Sequence, residues 1–220
     1  MPVRHIPPLG ARKNIGKFPS VKMDRVAWYE SLLERDFMYR LDHDVQVKRW
    51  GEQPLKIRFV LDGKVHYYTP DFEVHRESKK QIIEVKPQHK VDSGEWDVLF
   101  GIASSLCERE GYEFVVVTDK MIRTQPELDN VKKLWKYART PLRPQHQILC
   151  KNFFYRNQLA EINLGELLSY FQAERIPAEV AYALIFFGAL NIDMTQPINS
   201  NSLIWMPLAK AASAAGRKDS

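Results

Sequence analysis

Asp71, Glu84 and Lys86 are the residues whose types and spacing suggest chemistry. They lie in "HYYTPDFEVHRESKKQIIEVKPQ", His66 to Gln88, which reads as two strands joined by a turn. Side chains alternate across a strand, so Glu84 and Lys86 share one face while Ile83 and Val85 point to the other. Asp71 opens the preceding strand, and pairing the two strands brings it beside Glu84. Two carboxylates a few ångströms apart repel unless a cation or a proton lies between them. A hard divalent ion, Mg²⁺ or Mn²⁺, suits such oxygen ligands; it is usually held by one or two carboxylates, with waters and substrate phosphate completing its shell. The backbone carbonyl of Val85 is placed to join Asp71 and Glu84 as a ligand.

The Lys86 ammonium then has a task. It can orient a metal-bound water, help deprotonate it, and offset charge building on phosphorus. A second ion, covering the leaving oxygen, needs a further acid. Glu30 is the candidate, with Glu34 one helical turn on as its substitute, and Tyr29 and Trp28 read as packing. Taken alone, a P-D followed by E-x-K reads equally well as a surface ion pair.

Elements must hold these residues together. "SVKMDRVAWYESLLERDFMYRLD" places Val26, Tyr29, Leu32, Leu33, Phe37 and Leu41 at helical spacing behind a Ser20 or Asp24 cap, which predicts a helix over residues 23–41 carrying Glu30. "VQVKRW" alternates as a strand, Asp62-Gly63 between apolar runs signals a hairpin, and "KQIIEVKP" is a strand stopped by Pro87. A helix ending at Gly111, the buried-type strand "YEFVVVTD" and a helix opening at Pro126 follow. This order is that of a restriction-endonuclease-like core, an α/β fold with a mixed sheet flanked by helices. Two prolines in "TPLRPQHQ" mark a boundary near residue 141. Beyond it, helix, turn, helix and a polar-tipped hairpin suit a winged helix, a fold that serves DNA binding and protein docking alike.

The division expected is a basic arm over residues 1–22, an endonuclease domain over 23–140, a winged-helix-like domain over 141–208 and a disordered tail over 209–220. "WYESLLERDFMYRLDHDVQVKRWGEQPLKIRFVLDGKVHYYTPDFEV" followed by "IIEVKP" resembles the TnsA family, endonuclease subunits of heteromeric cut-and-paste transposases that include those associated with CRISPR targeting complexes. The likeness covers about residues 20–140 and carries the PD-(D/E)xK pattern. It implies a Mg²⁺-dependent nuclease, using one or two ions, that cuts the 5′ strands at transposon ends in duplex DNA. An integrase-type transposase would act on the 3′ strands, and a AAA+ regulator would bind the C-terminal region. The family's helix carboxylate falls on Glu30, its P-D carboxylate on Asp71 and its lysine on Lys86; Glu84 stands where members have Glu or Gln. Gln88, His89 and Lys90 follow the motif, either as a support and phosphate contacts or as a solvated loop. Two other readings are a stand-alone restriction-like or junction-resolving nuclease, and a catalytically silent DNA-binding adaptor.

Composition agrees with a globular chain: 220 residues, 45% hydrophobic and 27% charged. No apolar run approaches the ~18 to 20 residues that span a bilayer, and the N-terminus has no apolar signal segment, so the expected location is cytoplasmic, in a bacterium by the resemblance. Cys107 and Cys150 lack metal-ligand spacing, and Cys107 reads as a small core residue. The net charge of +5 resides within residues 1–25, through Arg4, Arg12, Lys13, Lys17, Lys22 and Arg25 against Asp24. Such an arm is either a solvated tail or a phosphate-binding segment that releases counterions on DNA.

Overall fold

The computed structural model describes residues 14–207. The expected tail over 209–220 and residues 1–13 of the arm lie outside them. The rest of the arm is folded. β1 (Gly16–Ser20) and β2 (Arg25–Tyr29) form an antiparallel hairpin in which Phe18 pairs with Ala27, both buried, while Lys17 and Pro19 face outward. Asp24 closes the turn at φ 48°, a left-handed conformation that aspartate tolerates.

This hairpin corrects the helix expected over residues 23–41. α1 runs Leu32–His43, because the cap is Ser31: its hydroxyl accepts from the Glu34 N–H at 3.1 Å. The Glu34 carboxylate reaches back to the Glu30 N–H at 2.8 Å and to the Ser31 hydroxyl at 2.9 Å, a reciprocal cap. Leu33, Phe37 and Leu41 then recur on one buried face.

β3 (Val47–Glu52) joins the central sheet, whereas β4 (Ile57–Leu61) and β5 (Lys64–Tyr68) pair only with each other. Asp62 and Gly63 turn between them at φ 51° and 73°, as a two-residue hairpin requires. β6 (Phe72–Arg76) and β7 (Lys80–Lys86) return to the central sheet. The chain crosses through α2 (Gln88–Asp92) and α3 (Asp97–Arg109) to β8 (Glu113–Thr118), then enters α4 (Asp119–Ile122) and α5 (Glu127–Trp135). The order is β3-β6-β7-β8, antiparallel except for the parallel β7/β8 pair. Parallel pairing is what obliges the helical crossover.

The two faces of β7 have different neighbours. Ile83 and Val85 join Phe37, Met38, Trp50 and Phe72 in the core under α1, while Ile82 packs with Ile57, Ala103 and Cys107. Glu84 and Lys86 share the parity of Ile82. The architecture is thus a mixed α/β fold with helices on both faces of a mixed sheet, as in a restriction-endonuclease-like core.

After residue 141 come α6 (Pro144–Arg156), β9 (Glu161–Asn163), α7 (Leu164–Ala173), α8 (Glu179–Phe186), β10 (Asn191–Ile192) and β11 (Leu203–Trp205), with a sheet of order β10-β11-β9. The core of this part includes Leu134 of α5 and Ala138, so apolar packing runs across residue 141. Asn130, also on α5, donates to the carbonyls of Met194 and Gln196 at 2.9 and 2.7 Å and accepts from the Ile198 N–H at 3.1 Å.

His43, in the last turn of α1, lies edge-on to Phe186 of α8 at 5.4 Å between ring centroids. Burial, then the nearby Lys22 charge, lowers its pKa to about 4. The unfolded chain takes up this proton near pH 6.5 and the folded chain only near 4, so folding stability falls as pH drops through that window. His43→Gln is expected to remove about 3 kcal/mol of the acid-side loss between pH 6.5 and 4, read from urea unfolding of both proteins at each pH. Parallel pH profiles for the two would show that His43 is uncoupled from folding.

Candidate active site

Phe72 pairs with Ile83, and continuing that register by one residue sets Asp71, just before β6, opposite Glu84. The Val85 N–H donates to Asp71 Oδ2 at 2.8 Å, which fixes the shorter carboxylate against β7. Glu84 is 2% exposed, and both of its oxygens are engaged. Oε1 forms an ion pair with the Lys86 ammonium, and Oε2 accepts from the Tyr68 hydroxyl at 2.5 Å. Lys86 also lies over the Trp96 ring, 5.0 Å from its centroid, at the start of α3.

Glu30 is not on a helix. It occupies the connection between β2 and α1, where it is buried, and its Oε1 accepts from Gln53 Nε2 at 2.8 Å. Glu34 is the capping acid of α1 rather than a free substitute for Glu30. The acids nevertheless sense one another. Burial first, then the charges of Glu84 and Glu34, hold the Asp71 carboxyl well above the usual carboxylate range. Burial also raises Glu34, with Glu30 and Glu84 adding to it against the hydrogen bonds from Glu30 and Ser31.

Lys86 responds in the opposite sense. Burial pulls its pKa down, but Glu84 and Asp71 outweigh that and leave it above the ordinary lysine value. It is therefore a persistent cation, suited to orienting a nucleophile and offsetting charge, and unsuited to accepting a proton. Tyr68 is raised by burial and then by Glu84, so its hydroxyl stays a donor.

Among the described residues, no three His, Cys, Asp or Glu side chains already form a metal cage. A cage of that kind is what zinc needs; Mg²⁺ is commonly held by one or two carboxylates plus water and phosphate. Asp71, Glu84 and Glu30 supply hard oxygen donors, Lys86 is the cation that lowers the Asp71 carboxyl, and Gln53 Oε1 is a buried acceptor without a donor among the described residues. Oxygen donors of this chemistry suit a hydrated divalent ion held by one or two of these carboxylates with water, rather than by all three as one cage.

Residues 44–119 match the family model of the TnsA-like endonuclease N-terminal domain. No curated protein matches the chain. The TnsA-like segment contains Gln53, Tyr68, Asp71, Glu84 and Lys86, while Glu30 precedes it and stands on geometry alone. It covers a third of the chain and ends at the start of α4, so the C-terminal elements lie beyond it.

Residues after the motif turn elsewhere. The Gln88 N–H donates to Asp119 Oδ1 at 2.5 Å and its amide to Asp92 at 2.8 Å, while Lys90 pairs with Glu95. Tyr29 packs onto the α1 core, and Trp28 lies under Lys17. Sequence reasoning missed the side chains of Tyr68, Gln53 and Trp96. A signal existed for Tyr68: it precedes Asp71 by three residues at the end of a strand whose partner, Ile57, is apolar. No helix among the described residues is long and apolar enough to cross a membrane.

Proposed function

We propose that the chain is a Mg²⁺-dependent DNA endonuclease, a subunit of a heteromeric cut-and-paste transposase that cuts the 5′ strands at the ends of the mobile DNA. The observation that carries this reading is the meeting of Asp71, Glu84 and Lys86 at the β6/β7 margin, within a segment matching TnsA-like endonucleases. Asp71, Glu84, the Val85 carbonyl and Glu30 would hold one or two Mg²⁺ ions, with Mn²⁺ as a substitute. Such an ion supplies Lewis acidity at phosphorus and a more acidic water.

The chain's own residues do the rest. Water oxygen bonds to phosphorus, a bridging P–O bond breaks, and the proton released by water balances the leaving oxygen. Lys86 orients the water and stabilises the added negative charge; the Trp96 ring and Glu84 hold its ammonium in place. Tyr68 keeps the Glu84 carboxylate in one rotamer through its hydrogen bond.

The C-terminal part, with its order of helix, strand, two helices and hairpin, would act as a winged-helix-like platform for a AAA+ regulator, a reading supported by its packing on α5. The partner for strand joining would be an integrase-type transposase, consistent with the segment match. The test is cleavage of labelled transposon ends by the chain assembled with its partner. Loss of 5′-strand cuts on adding a chelator, with restoration by Mg²⁺, is the expected result. Cutting of bare DNA by the chain alone would favour a stand-alone nuclease, and no cutting in any assembly would leave a DNA-binding adaptor.

A second measurement needs no catalysis. At a hundredfold excess over its dissociation constant, Mn²⁺ is expected to stabilise the folded chain by about 2.7 kcal/mol. Asp71→Asn should abolish that rise in melting temperature, although the metal-free variant melts no lower, since one of two neighbouring acids is gone. An undiminished Mn²⁺ effect in Asp71→Asn would move the ion elsewhere.

A further inference from the structure

We infer that Gln53 is a positioning residue of this site, a strut that sets Glu30 relative to Asp71. The inference rests on the metal-nuclease reading above. Gln53 follows β3 and is 7% exposed. Its side-chain nitrogen donates to Glu30 Oε1 at 2.8 Å, and its backbone N–H donates to the Asp71 carbonyl, also at 2.8 Å. One residue thus touches two acids that reach the site from distant parts of the chain.

Gln53 is held in this place against two local penalties. Its φ is 45°, the left-handed region that a Cβ disfavours. Its amide oxygen is buried without a donor among the described residues. Turning the amide over gives no relief, because an ionised carboxylate only accepts, and the oxygen would then face Glu30 Oε1. Glycine would suit the backbone and an apolar side chain would suit the burial, so packing alone explains neither feature. Strained backbone and unsatisfied buried groups gather where a site is pre-set by its surroundings. Here the hydrogen bond removes rotational freedom from Glu30 and fixes the direction of its carboxylate. Removing such a support behind a metal ligand commonly weakens metal binding 10- to 100-fold.

Gln53→Gly and Gln53→Asn in the full chain test this. Glycine accepts the backbone angle without a side chain. Asparagine tolerates the angle and keeps an amide, but is one methylene too short to span to Glu30. Titration with Mn²⁺ by calorimetry is expected to show affinity about tenfold or more below wild type for both variants. The metal-free melting temperature of Gln53→Gly should be equal to or above that of wild type. Wild-type Mn²⁺ affinity in either variant overturns the inference, as does a metal-free melting temperature lowered in both with affinity retained. A wild-type chain that takes up no Mn²⁺ overturns the metal reading itself, and the strut with it.

Discussion

Lys86→Ala is expected to lower 5′-strand cleavage by the assembled complex about 10²- to 10³-fold, the usual loss when one group stabilising transition-state charge is removed. That corresponds to about 3 to 4 kcal/mol of barrier. The variant should bind Mn²⁺ at least as tightly as wild type, because the Lys86 ammonium occupies Glu84 Oε1 and its removal frees that oxygen. Asp71→Ala should differ in kind, losing both cleavage and ion binding, since Asp71 is proposed as a ligand and Lys86 as a charge-offsetting group. Lys86→Arg is expected to recover little: a guanidinium keeps the charge but its planar fork does not reproduce a point charge between Glu84 and the Trp96 face. The Asp71 and Lys86 variants should elute and melt as folded proteins. If both still cut in the assembled complex, the catalytic centre lies outside the β6/β7 margin.

The residues at that margin were legible because their placement is local. Alternation along β7 and its pairing with β6 need only a dozen residues, and Asp71, Glu84 and Lys86 fall together from that alone. Glu30 was expected on a helix and lies instead in the connection just before α1. Val26 and Tyr29 stand at spacings that fit a helix leading into Leu33, yet they belong to β2, paired with Pro19 and Gly16. The deciding signal was Ser31 with Glu34, a capping pair that places the helix start after Glu30. The arm was misjudged for a related reason: charge dominates residues 1–25, while a few uncharged positions, Phe18, Ser20 and Ala27, determine that part of it folds. Truncation at residue 20 would therefore delete a core strand along with any DNA contact. Gln53 was out of reach, since neither its left-handed backbone nor a hydrogen bond to Glu30 leaves a mark in spacing. The same holds for Asn130, whose partners lie more than sixty residues away.

Asp42→Ala is expected to produce the largest loss of stability. Asp42, on α1, is 3% exposed, and each carboxylate oxygen accepts twice. Oδ1 takes the Ser20 hydroxyl at 2.6 Å and the Trp50 indole N–H at 3.1 Å. Oδ2 takes the Val21 N–H at 2.8 Å and the Trp135 indole N–H at 3.2 Å. One side chain thereby ties together β1, α1, β3 and α5, which is why the N-terminal hairpin is fixed to the core. Alanine leaves these donors without their acceptor, those of Ser20 and Trp50 fully buried and those of Val21 and Trp135 partly so, each buried unsatisfied group costing about 1 to 3 kcal/mol. The costs share one acceptor and are not additive, and the Ser20 hydroxyl also accepts from the Met23 N–H, so it can turn. A net loss of about 4 kcal/mol is expected, a large part of the 5 to 15 kcal/mol that domains ordinarily possess. With a urea slope of about 2 kcal/mol/M, the midpoint should fall by about 2 M. Asp42→Asn keeps the shape but turns an amide donor against two of the four donors, so its loss should be smaller than that of alanine yet clearly measurable. An asparagine variant as stable as wild type would show that the two indoles and the Val21 N–H do not depend on the carboxylate, and the hairpin would then owe its place to Phe18 packing instead.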